Sequence, residues 1–256
     1  MCFWRQRTAN GDIYPGAQSN GTCTPTYQPD TSPDALLYTR NPTTCRYIDD
    51  ENTSVVISST PFEVGTLLNF DRQIPQTKKK GLVFYGSSSI CVWESFLPYD
   101  FPDYTTVGRG FGGSTLSEGF IEYKRLVYPI EPSVFVIYAG DNDIAGGAKP
   151  TDVQESFRNL MRTTRRFYPD LPIAYISIKP SPSRAKLMPQ MNETNNRIRE
   201  DIESMFPGVT FINVWPLMLL PNGQPNPDLF GPDELHMNRK GYAIWIKAVT
   251  DYLESI

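Results

Sequence analysis

Four short apolar runs, each long enough for one buried strand, recur from residue 81 onward and alternate with helical patterns. The runs are Leu82–Tyr85, Val134–Tyr138, Ile173–Ile176 and Val209–Ile212. Helical patterns follow at about 115–127, at 151–167 with Thr151 as the opening residue, at about 189–205 and at 239–255. Continuous apolar runs are typical of strands buried on both faces. Because strands and helices alternate, the pattern predicts an α/β fold with three layers, α/β/α, in which the middle layer is a parallel sheet.

Residues 1–75 differ in composition and periodicity from the remaining residues 76–256. They are rich in Thr, Pro, Asn and Tyr, they carry turn signals such as Asn10-Gly11 and Asn20-Gly21, and they lack helical periodicity. Val55–Ser58 and Thr66–Leu68 are typical of short strands. The sequence therefore predicts a small β-rich or irregular N-terminal appendage at 1–75, followed by one larger domain at 76–256.

Charge and hydropathy exclude several classes of partner. The formal net charge over 256 residues is −4, and no basic arm is present, so no nucleic-acid partner is expected. No run approaches the roughly 18 apolar residues of a membrane helix, so no membrane span is expected, and Met1–Arg5 lacks the apolar core of a signal peptide. The compartment and the oligomeric state stay open. No C-x-x-C pair occurs, and bridged and free thiols are both compatible with Cys2, Cys23, Cys45 and Cys91.

His236 is the only histidine of the chain, and Asp233 stands three residues before it. Any proton transfer by an imidazole near neutral pH must use this one side chain. An aspartate at that offset, ahead of the last predicted helix, can fold back and accept the Nδ1 proton, which leaves Nε2 free as a base.

Polar residues also follow the predicted strands, where the carboxyl ends of parallel strands meet and ligands bind. Gly86–Ser89 follows the first strand, a glycine-rich loop at Gly108–Ser114 comes next, and Gly140–Asp143 follows the second apolar run. These segments supply a hydroxyl, closely approaching backbone N–H groups and a side-chain amide. An acyl-transfer site requires these groups.

The order of these elements resembles the SGNH hydrolase family, also called GDSL esterases, over roughly residues 81–256. The resemblance implies an SGNH/flavodoxin-like fold, with Ser88 as nucleophile, His236 as general base and then acid, and Asp233 as the orienting carboxylate. It also implies an oxyanion hole formed by the backbone N–H groups of Ser88 and Gly113 and the side-chain amide of Asn142. No cofactor or metal is expected from it.

One position departs from the family pattern, since Ser87 stands where the family has an aspartate before the nucleophile. Three hydroxyls are therefore adjacent, and spacing alone leaves Ser87 and Ser89 open as nucleophiles. An α/β-hydrolase elbow is unlike this segment because it requires Gly-x-Ser-x-Gly, and Ile90 occupies the last position.

The resemblance implies an esterase acting on short-chain acyl esters, with O-acetyl groups on carbohydrate as one candidate substrate. The alternatives are a lysophospholipase or thioesterase of the same fold and a non-catalytic binding protein on the same scaffold. The residues predicted to border an open polar site are Arg109, Arg184, Trp93, Tyr99 and Phe111.

Overall fold

The computed structural model describes residues 37–41, 44–48, 54–57, 81–121, 123, 127 and 130–256, with backbone alone for the first three segments and for 119–121. The three N-terminal strands form an antiparallel sheet in the order β1-β2-β3: β1 (Leu37–Asn41), β2 (Thr44–Ile48) and β3 (Ser54–Ile57). This sheet and the parallel sheet described next belong to separate compact units. The predicted strand at Val55–Ser58 overlaps β3, whereas Thr66–Leu68 lies outside the described residues. The boundary at residue 75 stays a prediction.

Five parallel strands form the central sheet, in the order β5-β4-β6-β7-β8. They are β4 (Leu82–Gly86), β5 (Thr106–Gly110), β6 (Val134–Tyr138), β7 (Ile173–Ile176) and β8 (Val209–Ile212). Every residue of β4, β6 and β7 is buried, as continuous apolar runs predict. The α/β class with a central parallel sheet is therefore confirmed.

The α-helices of the described residues flank this sheet. They are α1 (Ser88–Trp93), α2 (Leu97–Asp100), α3 (Leu116–Ile121), α4 (Asp141–Ala145), α5 (Pro150–Phe167), α6 (Met188–Met205) and α7 (Arg239–Leu253). Helix α5 begins at Pro150 and not at Thr151, since the Asp152 carboxylate accepts the Lys149 N–H at 3.2 Å and so caps the helix one residue earlier. Cys91 in α1 is disulfide-bonded. None of the described helices is both long and apolar enough to cross a membrane.

Strand β5 was missed by the sequence reasoning, which took Gly108–Ser114 as a loop. Its glycines lowered the apparent strand propensity, but they have a packing role. A Cβ on Gly110 would lie 2.3 Å from the backbone nitrogen of Cys91 in α1. Glycine thus lets α1 lie directly against the edge strand, and the loop proper is confined to 111–115.

The strand order places a topological switch point beside β4. The chain passes from β4 outward to β5 and then returns to β6 on the other side of β4. In open parallel sheets, ligands bind at such a point, beyond the carboxyl ends of the strands that diverge there. The segments that follow β4, β5 and β6 are those that carry Ser88, Gly113 and Asn142.

One face of the sheet packs on α1 and α7 through an aromatic cluster. The Trp93 ring lies 5.3 Å from that of Tyr242 and 5.7 Å from that of Trp245, and Tyr138 lies 4.6 Å from Trp245, all between ring centroids. The Tyr242 hydroxyl also donates to the Ser89 carbonyl at 2.8 Å. These contacts tie the last helix to the helix that carries Ser88.

Candidate active site

Asp233 and His236 form a compact local unit just before α7. The imidazole Nδ1 lies 2.6 Å from Asp233 Oδ2, and Asp233 Oδ1 accepts the backbone N–H groups of Leu235 at 3.1 Å and His236 at 3.0 Å. Glu234, between them, has φ +55°. The carboxylate therefore binds both the ring and the backbone that carries the ring, which fixes the imidazole orientation and leaves Nε2 pointing away from the carboxylate.

Two residues that the sequence reasoning missed hold this loop in place. Asn238 caps α7 by accepting the Lys240 N–H at 2.9 Å, and its Nδ2 donates to the Phe230 carbonyl at 3.0 Å. Ser183 donates to the Glu234 carbonyl from both its N–H and its hydroxyl, at 3.1 and 3.0 Å. An asparagine ahead of a helix is a recognisable cap signal, whereas no local pattern indicates the contact of Ser183.

Ser88 contacts the imidazole of His236, although the two residues are 148 positions apart in the sequence. Its Oγ lies 2.8 Å from His236 Nε2. Ser87 and Ser89 are 0% and 1% exposed, and neither hydroxyl has a hydrogen-bond partner among the described residues, whereas Ser88 is half-buried. Of the three adjacent serines, Ser88 is therefore the one that contacts the histidine.

Gly86 makes the turn that presents Ser88. Its φ is +148°, and a Cβ there would lie 1.8 Å from the Tyr138 carbonyl oxygen of β6, so no other residue fits without moving a core strand. The Ser87 N–H then donates to that same carbonyl at 3.0 Å. Ser88 stands in the first turn of α1, where backbone N–H groups have no acceptor within the helix.

Three loops are tied together around this turn. The Gly86 carbonyl accepts the Phe111 N–H at 3.0 Å and the Ser114 hydroxyl at 3.1 Å, so the segment that contains Gly113 lies against it. The Ser114 carbonyl in turn accepts from Asn142 Nδ2 at 3.0 Å. Asn142 Nδ2 carries two hydrogens, and one is left for another acceptor. The structure thus brings the segments of Ser88, Gly113 and Asn142 together.

A buried group of charges lies beside Asn142, and the sequence analysis gave a role only to its Arg184, as a residue that borders an open polar site. Asp141 Oδ2 is 2.9 Å from Arg184 Nη1 and 3.4 Å from Lys179 Nζ, and Lys179 also donates to the Tyr138 hydroxyl at 3.1 Å. Burial alone would raise the pKa of Asp141, but the two cations outweigh it and hold the pKa below its usual value. Asp141 is therefore ionised, with Arg184 and Lys179 both lying against its carboxylate.

The same charges influence the histidine. Burial has the largest effect and lowers the pKa of His236 below its ordinary value of 6.5, the hydrogen bond to Asp233 opposes this, and the Lys179 cation lowers it further. For Asp233, burial opposes ionisation, but the hydrogen bonds from His236 and two backbone N–H groups outweigh it and lower the pKa. A neutral imidazole beside an ionised aspartate is the state that can accept a proton at Nε2.

Asp143 links two of the site segments. Both of its carboxylate oxygens lie 3.1 Å from the Leu116 N–H at the start of α3, next to the loop that contains Gly113. Burial raises the pKa of Asp143 to about 7. The sequence contained this residue in the Gly140–Asp143 segment but indicated no role for it.

The residues predicted to border an open polar site are only partly placed there. The prediction is wrong for Trp93, which is 0% exposed within the aromatic cluster, and for Arg109, which is 1% exposed in β5. The Trp93 ring packs on Tyr242 and Trp245, and Arg109 Nη1 donates to the Gly108 carbonyl at 2.8 Å. Tyr99 lies on the outer surface of α2 with 82% exposure. Phe111 and Arg184 are half-buried beside the site segments, and substrate contact by either stays a prediction.

Comparison with solved structures shows how widely this fold occurs. The chain is similar to a protein assigned as an acylhydrolase from Bacteroides fragilis (TM-score 0.66, 19% identity, 74% of this chain and 96% of that chain). It is also similar to a GDSL-like lipase from Bacteroides thetaiotaomicron (0.63, 21%, 74% and 98%) and to an acetyl-xylooligosaccharide esterase from Geobacillus (0.53, 14%, 68% and 94%). At such identities the likeness shows the fold alone.

The sequence itself carries the family assignment. No curated protein matches the chain at a significant level. The sequence profile of the GDSL-like lipase/acylhydrolase family matches residues 84–244, which is most of the chain and includes the segments of Ser88, Gly113, Asn142 and His236. The chain therefore belongs to the GDSL-like lipase/acylhydrolase family of ester hydrolases, as the order of its four motifs predicted.

Proposed function

We propose that the chain is a serine esterase that hydrolyses short-chain acyl esters through an acyl-enzyme intermediate. The observation that carries this proposal is the continuous chain of contacts from Ser88 Oγ to His236 Nε2 at 2.8 Å and from His236 Nδ1 to Asp233 Oδ2 at 2.6 Å. A nucleophile, a base and an orienting carboxylate in this order are what acyl transfer requires. Membership of an acylhydrolase family supports the same reaction class.

In the first half of the proposed reaction, Ser88 Oγ attacks the carbonyl carbon of the ester. His236 Nε2 accepts the hydroxyl proton, and Asp233 stabilises the imidazolium that forms. We assign the stabilisation of the negative charge on the former carbonyl oxygen to hydrogen bonds from the N–H groups of Ser88 and Gly113 and from Asn142 Nδ2. The intermediate then collapses, the alcohol oxygen takes the proton from His236, and the acyl group stays on Ser88.

In the second half, a water molecule attacks the acyl carbon while His236 Nε2 accepts its proton. The same oxyanion forms and collapses, Ser88 Oγ leaves with the proton that His236 returns, and the carboxylic acid is released. One base serves both halves, which agrees with His236 being the only histidine of the chain.

The acyl group proposed is short, and an acetyl group on a carbohydrate is the substrate we favour. Support comes from a structural neighbour described as an acetyl-xylooligosaccharide esterase and from another described as a carbohydrate esterase of family 3 from Talaromyces cellulolyticus. A lysophospholipase or thioesterase would use the same chemistry with a different acyl site, and a non-catalytic protein would lack the chemistry altogether.

Two measurements on the wild-type chain test this proposal. An organophosphonate probe should label the protein with one equivalent, and mass spectrometry should locate the label on Ser88. The rate on p-nitrophenyl esters should fall from acetate through butyrate to octanoate. A rate that instead rises with chain length would favour the lipid-acting alternative, and a folded chain that is neither labelled nor active would contradict the serine esterase.

The pH dependence of acetate-ester hydrolysis provides a further prediction. Only the neutral imidazole can accept the Ser88 proton, and burial together with Lys179 lowers the pKa of His236 below 6.5. Activity should therefore rise with pH along an acid limb whose midpoint lies below 6.5. Lys179→Met removes the nearby cation and should move that midpoint upward. Thermal melts at each pH serve as the control for folding, and a wild-type midpoint above 6.5 would contradict the assignment of the limb to His236.

A further inference from the structure

The side-chain amide of Asn142 can act as an oxyanion donor only in one of its two orientations. Its Oδ1 accepts from Arg184 Nη2 at 2.8 Å, while its Nδ2 donates to the Ser114 carbonyl at 3.0 Å. In the flipped amide, the NH₂ group would face a guanidinium that can only donate, and Oδ1 would face a carbonyl that can only accept. Both contacts would become repulsive, so Arg184 and the Ser114 carbonyl together select the orientation in which the NH₂ group lies beside Ser114, in the loop that contains Gly113.

The position of Arg184 is fixed by an ion pair with Asp141. Its Nη1 forms an ion pair with Asp141 Oδ2 at 2.9 Å, and its side chain is 16% exposed while that of Asp141 is 5% exposed. Lys179, 1% exposed, contacts the same carboxylate oxygen from another direction at 3.4 Å. Two nitrogens of the guanidinium are thus engaged on neighbouring residues of one short helix, α4. A planar fork can bridge Asp141 and Asn142 at once, which a single ammonium cannot do.

We propose that Arg184 is a positioning residue for the esterase reaction, which orients the Asn142 amide and strengthens it as a donor to the oxyanion. This inference rests on the proposed function. A hydrogen bond from a cation to Oδ1 polarises the amide, and the polarised Nδ2 hydrogens become better donors. The benefit is greatest when negative charge has formed on the substrate oxygen, so Arg184 acts on the transition state and little on the bound ester. Direct substrate binding by Arg184, as predicted from the sequence, is the alternative that the experiment must distinguish.

The test is a double-mutant cycle between Arg184→Met and Asn142→Ala, with kcat and KM measured on p-nitrophenyl acetate. Asn142→Ala alone should lower kcat about 10²–10³-fold. Arg184→Met alone should lower kcat roughly 10–10²-fold through misplacement of the donor, with KM nearly unchanged. In the Asn142→Ala background the same Arg184 substitution should have almost no further effect on kcat, since the amide that it orients is gone.

The outcomes separate the possible roles of Arg184. A rise in KM that persists in the Asn142→Ala background would mean that Arg184 binds substrate, and the inference would be overturned. An equal loss of kcat in both backgrounds would mean a general structural role, with the same consequence. If Arg184→Met does not melt cooperatively, Arg184→Lys takes its place. It keeps a cation beside Asp141 without the fork and should show the same coupling to Asn142. Phosphonate labelling of wild-type Ser88 distinguishes failure of this inference from failure of the esterase assignment.

Discussion

Replacing Ser88 with alanine should lower kcat on p-nitrophenyl acetate about 10⁶-fold, and His236→Ala should have an effect of similar size. The reason is that Ser88 Oγ and His236 Nε2, 2.8 Å apart, act as one unit, so a nucleophile without its base is as ineffective as a base without its nucleophile. The double variant should therefore be hardly slower than either single variant. The measurement is single-turnover or steady-state release of p-nitrophenol by purified variants with matched thermal melts.

The adjacent serines provide matched controls for that experiment. Ser87→Ala and Ser89→Ala each remove one hydroxyl from the same turn, and both side chains are buried away from the imidazole. We expect each to retain activity within a few-fold of the wild type and to keep the phosphonate label on Ser88. Loss of activity in Ser87→Ala with retention in Ser88→Ala would show that the nucleophile has been assigned to the wrong serine.

Asp233→Asn should lower kcat about 10⁴-fold while the fold is kept. Asparagine retains an oxygen for the N–H groups of Leu235 and His236, which Asp233 Oδ1 now accepts at 3.1 and 3.0 Å. Its NH₂ group, however, would face Nδ1 of the imidazole and favour the tautomer with the proton on Nε2. That nitrogen could then no longer accept the Ser88 proton, and the ionised partner of the imidazolium would be lost.

Glu234→Gln is the control for Asp233→Asn, because it makes the same change of charge at the next residue. Glu234 is exposed, and its contacts to Ser183 are made by its backbone carbonyl and not by its side chain. The kcat of Glu234→Gln should stay near that of the wild type. Equal losses in the two variants would mean that charge near the loop, and not the contact between Asp233 and Nδ1, is responsible.

Much of the fold was predictable from local sequence patterns. The strands at Val134–Tyr138, Ile173–Ile176 and Val209–Ile212 have the predicted bounds, and α7 begins at Arg239 as predicted. Val134–Tyr138 and Ile173–Ile176 are recognisable because each is an unbroken apolar run that is buried along its whole length. In Val209–Ile212 only the two end residues are buried, and α7 is recognisable by its apolar stripe with helical period. Strand β5 was missed because its glycines are required by the close approach of α1. That contact joins two separate elements, so the residues of β5 and their neighbours in sequence do not reveal it.

The candidate site also has one part that local sequence predicted and one part that it left open. The pairing of Asp233 with His236 spans three residues, so the turn that makes it is a local property, and the order of the motifs was sufficient to predict the family. The choice among Ser87, Ser88 and Ser89 depended on which hydroxyl faces a side chain 148 residues away. The sequence alone left that choice open, since a turn after a buried strand can present any of the three.

The chain by itself therefore determined the α/β class, the parallel sheet and the family, since these follow from periodicity and from motifs in order. Only the tertiary structure decided that Trp93 and Arg109 are interior residues and that Arg184 contacts Asn142 at 2.8 Å. It also decided that Asp141 lies between two cations. Burial and ion pairing are relations between distant segments, and they exist only once the strands place their carboxyl ends side by side.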